Sequence, residues 1–430
     1  MNDTTKDTQA VNEFNQVMKP ISLWADAWKR LRKNKMALIS LYIVSAYILI
    51  TVSAPLLTSM GVIHSYKEQV ISNAKLPPSF KKSGELVLAK LESRIAQLEV
   101  IVAEQAAEEA ATAPSTGFDF GAPATEFSFD FGSTESAEET ANPGFYEAEE
   151  VDPNQSFSLN FGGSGSDTET SSNPLVRELE FQKGIFAKIQ SEVGTNPDYD
   201  KVYILGTDDL GRDMLARIIY GGRISLAIGI VGTLTAALVG ILIGSVSGYV
   251  GGWLDNLLMR FVDIMYGLPY MLIVIIIMAM IGEKARGSFV ILFIAIALVS
   301  WLTIARVVRG QIISLKNSEF VEAARSMGAS VPRIIFRHLL PNTLGVIVVF
   351  STLLMPSFIM NESFLSFLGL GVSAPDASWG TLVSEGVKAM EYSTWQLMGP
   401  AIAMTLFLFC MNFLGDGLRD ALDPQSKNRT

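Results

Sequence analysis

The sequence predicts an all-α integral membrane protein of six transmembrane helices, with a large, partly disordered acidic insert between the first and second. Three observations carry this. Of 430 residues 49% are hydrophobic, and mean hydropathy is +0.33, a composition for membrane rather than for a soluble core. Several uncharged runs reach ~20 residues, enough to cross ~30 Å of hydrocarbon at ~1.5 Å per residue. The net charge of −10 is unevenly placed: residues 58–200 hold 9 Lys and Arg against 24 Asp and Glu, leaving the remainder at +5. The pI of 4.9 therefore describes the insert and implies no basic ligand.

Residues 1–35 read as a cytosolic tail and an interfacial helix. Trp24, Trp28 and Leu31 share one helical face, Ser22 is placed to cap it, and Lys and Arg surround it, as in a helix lying among lipid headgroups. Residues 36–63 contain no charge and form the first span. Lys29, Arg30, Arg32, Lys33 and Lys35 directly precede it, so the positive-inside rule puts the N-terminus in the cytosol. The run is too long, and its leader too hydrophilic, for a cleaved signal peptide; an uncleaved anchor is expected.

Residues 64–202 then lie outside. Leu88, Leu91, Ile95, Leu98 and Val102 alternate by three and four, one apolar stripe on a helix over Glu85–Ala111 that either pairs with another helix or stands as a solvated spacer. Residues 112–174 are rich in Ser, Thr, Gly, Glu and Ala and cannot bury enough apolar surface to offset their ordering entropy, so disorder is expected. Within them Phe118–Gly121 recurs as Phe129–Gly132, with a weaker echo at Phe157–Gly162, either sticky partner motifs or an accident of composition. Residues 175–193 read as helix again.

Residues 203–424 supply five further spans. Thr207 is placed to cap a short outer-surface helix with Asp208 and Asp209 in its first turn, where the helix dipole favours negative charge, and Leu215, Ile218 and Ile219 on its apolar face. Span two, 224–250, carries Gly232, Ala236, Gly240, Gly244 and Gly248 at every fourth position, a small-residue stripe against which another helix can lie closely, though glycine is frequent in membrane helices generally. A cytosolic turn at 251–260 leads to span three, 261–281, with Pro269 inside it and Asp263 placed to pair with Arg260. Span four, 288–305, ends in Arg306 and Arg309, again cytosolic. Span five, 343–364, holds Pro356 as a kink candidate and Glu362 near its outer end, where an acid either lines a pore or vestibule or simply reaches water. An outer loop with a re-entrant or interfacial turn, 365–394, precedes span six, 395–414, and a cytosolic tail that ends with residues 425–430. Both termini inside agrees with every basic cluster.

The cytosolic loop 310–342 is the longest polar, basic stretch of that half. Glu322, Ala323 and Ala324 precede Gly328, suited to a left-handed helix end, and Ser330 with Pro332 restarts a helix that runs to Pro341. By its chemistry this is either a connector or a thin surface for another protein's cleft.

Other chemistries find no support. There is no GxxxxGK[ST] phosphate loop, no GxSxG and no HExxH, so neither ATP hydrolysis nor another enzymatic activity is expected. One cysteine, Cys410, and two histidines, His64 and His338, allow no disulfide and no Cys/His metal site, and no cofactor is expected. Basic residues cluster at membrane edges, not with exposed aromatics in a soluble module, so nucleic acid is not an expected partner.

The runs SLWADAWKRLRKNKMALIS, GTDDLGRDMLARIIYGGRISL, GYVGGWLDNLLMR, EFVEAARSMGAS with IIFRHLLPN, LSFLGLGV and NFLGDGLRDALDP together resemble the permease subunits of peptide-type ABC importers, which handle oligopeptides, dipeptides and nickel. The likeness is to the second of the two permeases and covers residues 20–57 and 203–424; insert 64–202 departs from the pattern, where that outer loop is much shorter. The resemblance implies the six-helix type I importer permease fold in the cytoplasmic (inner) membrane. It implies a second permease completing the pore, two ATPase subunits beneath, and an extracytoplasmic binding protein delivering peptide. It also implies that Glu322, Ala323, Ala324, Arg325 and Gly328, in a loop closed by Pro341, dock on an ATPase. Two other classes remain open. A secondary transporter needs coupling acids near the midplane, where only the edge-lying Asp263 and Glu362 are available. A membrane-anchored scaffold displaying the insert leaves the loop unexplained.

Overall fold

The structure, a computed structural model, describes residues 23–112, 173–281 and 289–422. Ser22, the tract with the Phe repeats and residues 425–430 lie outside them. The described chain is nearly all helix, with only isolated antiparallel bridges, Lys82 with Val202 and Thr207 with Asp213. It divides into two compact units, one running to Leu88 and again from Gln190, the other Ala89–Ile189.

In the first unit α1 (Leu23–Leu31) leads to α2 (Lys35–Val52), which Asn34 caps by accepting from the Ala37 amide. The first span is shorter than expected: Pro55 has no N–H and crowds the carbonyl four residues back, so the helix breaks at Ser53 and resumes only as α3 (Ala54–Ser59). Next comes α4 (Ser83–Thr112), which runs on into the second unit; there α5 (Pro174–Glu192) completes the insert helices. Glu99 meets Lys183 at 2.6 Å, and Gln105 accepts from Asn173 at 3.4 Å, so the two helices run antiparallel. Leu98 on the α4 stripe is buried, and its stripe neighbours are half-buried, so the stripe is the paired face.

The core helices are α6 (Met214–Val250), α7 (Gly252–Gly267), α8 (Tyr270–Ile281), α9 (Phe289–Ser300), α10 (Leu302–Leu315), α11 (Glu319–Ser326), α12 (Val331–Ile334), α13 (Leu340–Phe367), α14 (Trp379–Lys388) and α15 (Thr394–Leu422). Among the described residues five helical stretches are long and apolar enough to cross a membrane, or six if α7 and α8 count as one broken span.

Several expectations are corrected. No separate surface helix precedes span two: α6 runs unbroken for 37 residues, capped by Asp213 through the Leu215 amide. Thr207 is a loop staple instead, its buried hydroxyl donating to the Asn73 carbonyl at 2.5 Å and accepting from the Leu76 amide at 2.8 Å. The turn at 251–260 is the start of α7, and span three is bent by 88° at Leu268 and Pro269. Asp263 pairs with Arg306 on α10 at 2.5 Å, not with Arg260. The loop over residues 365–394 contains α14, whose N-terminus is a capping box of Ser378 and Thr381. The C-terminal tail stays helical to Leu422, because Leu418, Ala421 and Leu422 bury themselves against Ala27, Leu31 and Ala37. Leu31 is accordingly buried in α1 while Trp28 is exposed.

The largest buried cluster centres on Trp379, which packs with Tyr47 and Phe407, donates its indole N–H to the Ile218 carbonyl at 2.9 Å and its amide to Ser225 at 3.0 Å. Burying so large a ring with its polar handle satisfied makes this junction of α2, α6, α14 and α15 the anchor of one end of the bundle.

Candidate functional site

The opposite end of the core carries the segment Glu319–Asn342. Val321 and Ala324 are buried, with Val321 in a cluster with Ile312, Ile334, Ile335 and Leu339, whereas Phe320, Glu322, Ala323, Arg325 and Met327 are exposed. The helix is thus anchored by one face and offers the other. Its end is a Schellman motif: the Ala329 amide donates to the Ala324 carbonyl and the Gly328 amide to the Arg325 carbonyl, both at 3.0 Å. Gly328 has φ +81° with nothing within 4 Å of a built Cβ, so glycine is needed for the backbone alone.

After that corner, helix resumes and does not stop at Pro341. A π turn, Ile335–Leu339, absorbs the proline, whose ring crowds the Arg337 carbonyl and which lacks an N–H, and α13 continues as span five. Asn342 adds a bond to the His338 carbonyl at 2.6 Å. Past the corner, Val331–Phe367 is therefore one continuous rod, and Glu319–Asn342 forms an elbow at its end.

The small-residue stripe on α6 is buried throughout. A Cβ on Gly240 would stand 2.6 Å from the Ile304 Cβ, one on Gly244 2.5 Å from the Ala305 carbonyl, and one on Gly248 2.9 Å from the Arg309 carbonyl. These three face α10, Gly232 faces Phe358 of α13, and Ala236 sits in the cluster with Val274, Leu292 and Phe358. Glu362 does not reach water. It is 0% exposed, and its Oε1 accepts from Ser366 at 2.7 Å and from Ser378 at 2.5 Å, tying α13 to the cap of α14.

Two ionic groups were not expected from the sequence: one joins Asp255 to Arg309, 54 residues on, and the other joins Asp208 to two nearby arginines, one of which reaches Glu385. Near the elbow, Arg309 grips Asp255 with two bonds of 2.6 and 2.7 Å; Ser247 also donates to Asp255, and Lys316 donates to the Gly248 carbonyl at 3.3 Å. This ties α6, α7 and α10 together. At the other end Asp208, expected in a helical first turn, accepts from Arg212 at 2.6 Å and Arg217 at 2.7 Å, and Arg217 also donates to Glu385 of α14 at 2.8 Å. A glycine-flanked acid followed by two arginines at i+4 and i+9 was the available signal.

Residues 240–428 match the family profile described as binding-protein-dependent transport system inner membrane component, and residues 22–78 that described as the N-terminal TM domain of oligopeptide transport permease C. The oligopeptide transport system permease protein OppC of Escherichia coli (strain K12) is 50% identical over 254 residues, 59% of this chain and 82% of the relative. The dipeptide transport system permease protein DppC of Bacillus subtilis (strain 168) is 45% identical over 221 residues, 51% and 68% of the two chains. Among solved structures, an inward-facing form of the MetNI methionine ABC transporter matches with TM-score 0.40 at 18% identity, over 49% of this chain and 98% of the other.

Proposed function

This chain belongs to the permease family of peptide ABC importers, and on that premise we propose that Glu319–Asn342 is the element through which ATPase subunits drive it. The protein is a multi-pass membrane permease of oligopeptide or dipeptide import and not an enzyme. Such a permease works with ATPases, a substrate-binding protein and a second permease. The finer assignment is that two ATPases sit beneath the pore pair, with the elbow and both termini in the cytosol and the insert outside.

The observation that carries the coupling role is the elbow's build: a short helix anchored by Val321 and Ala324, closed by a glycine corner, after which a second helix runs unbroken from Val331 into span five. Glu322, Ala323 and Arg325 present a low profile to a partner cleft; Ala324 and Gly328 hold the shape, and Pro341 sits where the π turn hands force to α13. A pushed element that flexed would lose the stroke, whereas this one transmits it. The α6 stripe carries α10 with it. The secondary-transport alternative loses ground because Asp263 and Glu362 are both committed to structural partners.

The test is crosslinking in the full importer. Ala323→Cys should couple to an ATP-hydrolysing subunit, and Gly328→Asp should insert normally yet transport no peptide. Normal uptake by Gly328→Asp, or crosslinks from Ala323 reaching no ATPase, refutes the assignment.

A further inference from the structure

A cavity of about 430 Å³ lies against the break in span three, walled by Tyr266, Leu268, Pro269 and Tyr270 on one side and by residues of α9, α10 and α13 on the other. Its polar groups are Tyr266, Tyr270, Ser300, Thr303, Ser357 and Asn361, and no charged side chain lines it. The Tyr266 hydroxyl lies 2.7 Å from Thr303, and that of Tyr270 lies 3.5 Å from Ser300. The neighbouring charges cancel: Arg306 pairs with Asp263, and its guanidinium lies over the Tyr266 ring at 4.1 Å.

Two independent features identify the cavity as wet rather than lipid-filled. The first is the 88° bend, where the regular helical ladder stops: the Leu268 amide turns back to the Met265 carbonyl, and Pro269, which has no N–H, gives its carbonyl to the Leu272 and Ile273 amides. Non-helical backbone at membrane depth persists only where protein buries it or where it lines a water-filled space. The second is the contrast with another outward face of the same molecule. Over residues 230–242 the exposed positions of α6 are Ile230, Val231, Leu234, Leu238 and Leu242, all apolar and fit for lipid, whereas beside the cavity α13 exposes Ser357 and half-buries Asn361 alongside its exposed Met360 and Phe364.

We propose that this cavity is a station on the translocation path that binds the main chain of a short peptide, through Tyr270, Thr303, Ser357 and Asn361. The inference rests on the peptide-importer reading above. The chemistry follows from what peptides share. Their side chains differ in size and sign, but every one offers amide N–H donors and carbonyl acceptors. Hydroxyls and a carboxamide serve both, and a charge would favour some side chains and reject others. The volume falls within the range of ligand pockets and far exceeds the ~30 Å³ of one water. Aromatic walls from Tyr266, Tyr270 and Phe358 accept apolar side chains without specifying them.

The experiment uses the complete importer, with its binding protein, in proteoliposomes, and three tripeptides: trialanine, one bearing lysine and one bearing glutamate. Asn361→Leu should slow uptake of all three by at least about tenfold and to the same degree, while the complex still co-purifies with its ATPases. Ser357→Cys should react with a charged, water-soluble methanethiosulfonate faster than the parent, whose Cys410 is buried, and excess trialanine should slow that reaction. Labelling no faster than the parent, full uptake by Asn361→Leu, or loss of one charge class alone overturns the proposal. If the unsubstituted importer carries none of the three peptides, the peptide reading itself falls, and that failure appears in the parent rather than in a variant.

Discussion

The two ends of the helical core are held by opposite means. Near Trp379 the fastening is buried: Arg217 is 1% exposed, lies against Asp208 and reaches Glu385, while Glu362 and Ser378 lock α13 to α14. Near Gly328 the fastening is half open: Arg309 is partly accessible while its partner Asp255 is buried, and α11 turns Phe320, Ala323 and Met327 outward. A charge pair out of water is costly to break, so the first end keeps a single shape. The second end keeps its shape by local geometry and leaves a face free. The difference separates a region locked into one shape from one that leaves a face uncovered, as the proposed coupling role requires.

That contrast can be broken or sharpened by substitution. Arg217→Ala strands Asp208 without its deepest cation and should cost about 3–5 kcal/mol, read as loss of folded protein on heating in detergent; a cost below about 1 kcal/mol would erase the distinction between the ends. Gly244→Val drives a side chain into the Ala305 carbonyl and should cost about 1–3 kcal/mol by the same measurement. Gly328→Val meets no neighbour and should cost about 1–2 kcal/mol from backbone strain alone, while Gly328→Asn should cost much less, since Asn tolerates the left-handed region. If the elbow is a lever, uptake should follow that ranking more steeply than stability does.

The smallest effect belongs to Lys201. Burial alone would lower its pKa, but bonds to Asp198 and Glu68 at 2.8 and 2.7 Å outweigh that and raise it above 10.5. A raised folded value means the stabilisation is fully present below pH 10.5 and lost as pH climbs through the folded value. Lys201→Met should therefore cost about 0.5–1 kcal/mol at neutral pH, with parent and variant converging above the raised folded value. A gap that persists there would assign the role to packing.

What the sequence made legible was what local chemistry controls. Apolar runs located the spans, the stripe from Leu88 to Val102 marked a pairing face, and Gly328 with Ser330 marked a corner, since each signal lies within one or two turns. Long-range choices were hidden. Asp263 could reach Arg260 along its own helix, yet the fold supplies Arg306, which no spacing rule encodes. Glu362 lay at a plausible depth for a vestibule, but adjacent helical positions point about 100° apart, and only the packing of α14 reveals that Asn361 faces the cavity while Glu362 faces Ser378. The helical tail to Leu422 was hidden for the same reason: its apolar residues look stray until α1 is laid against them.

The contact of α6 with α10 has a mechanical consequence. Where Gly240, Gly244 and Gly248 meet Ile304, Ala305 and Arg309, there is no cushion of side chains to shear, so the pair behaves as a laminated plank. A load applied at one edge therefore moves the plank as a whole rather than bending it.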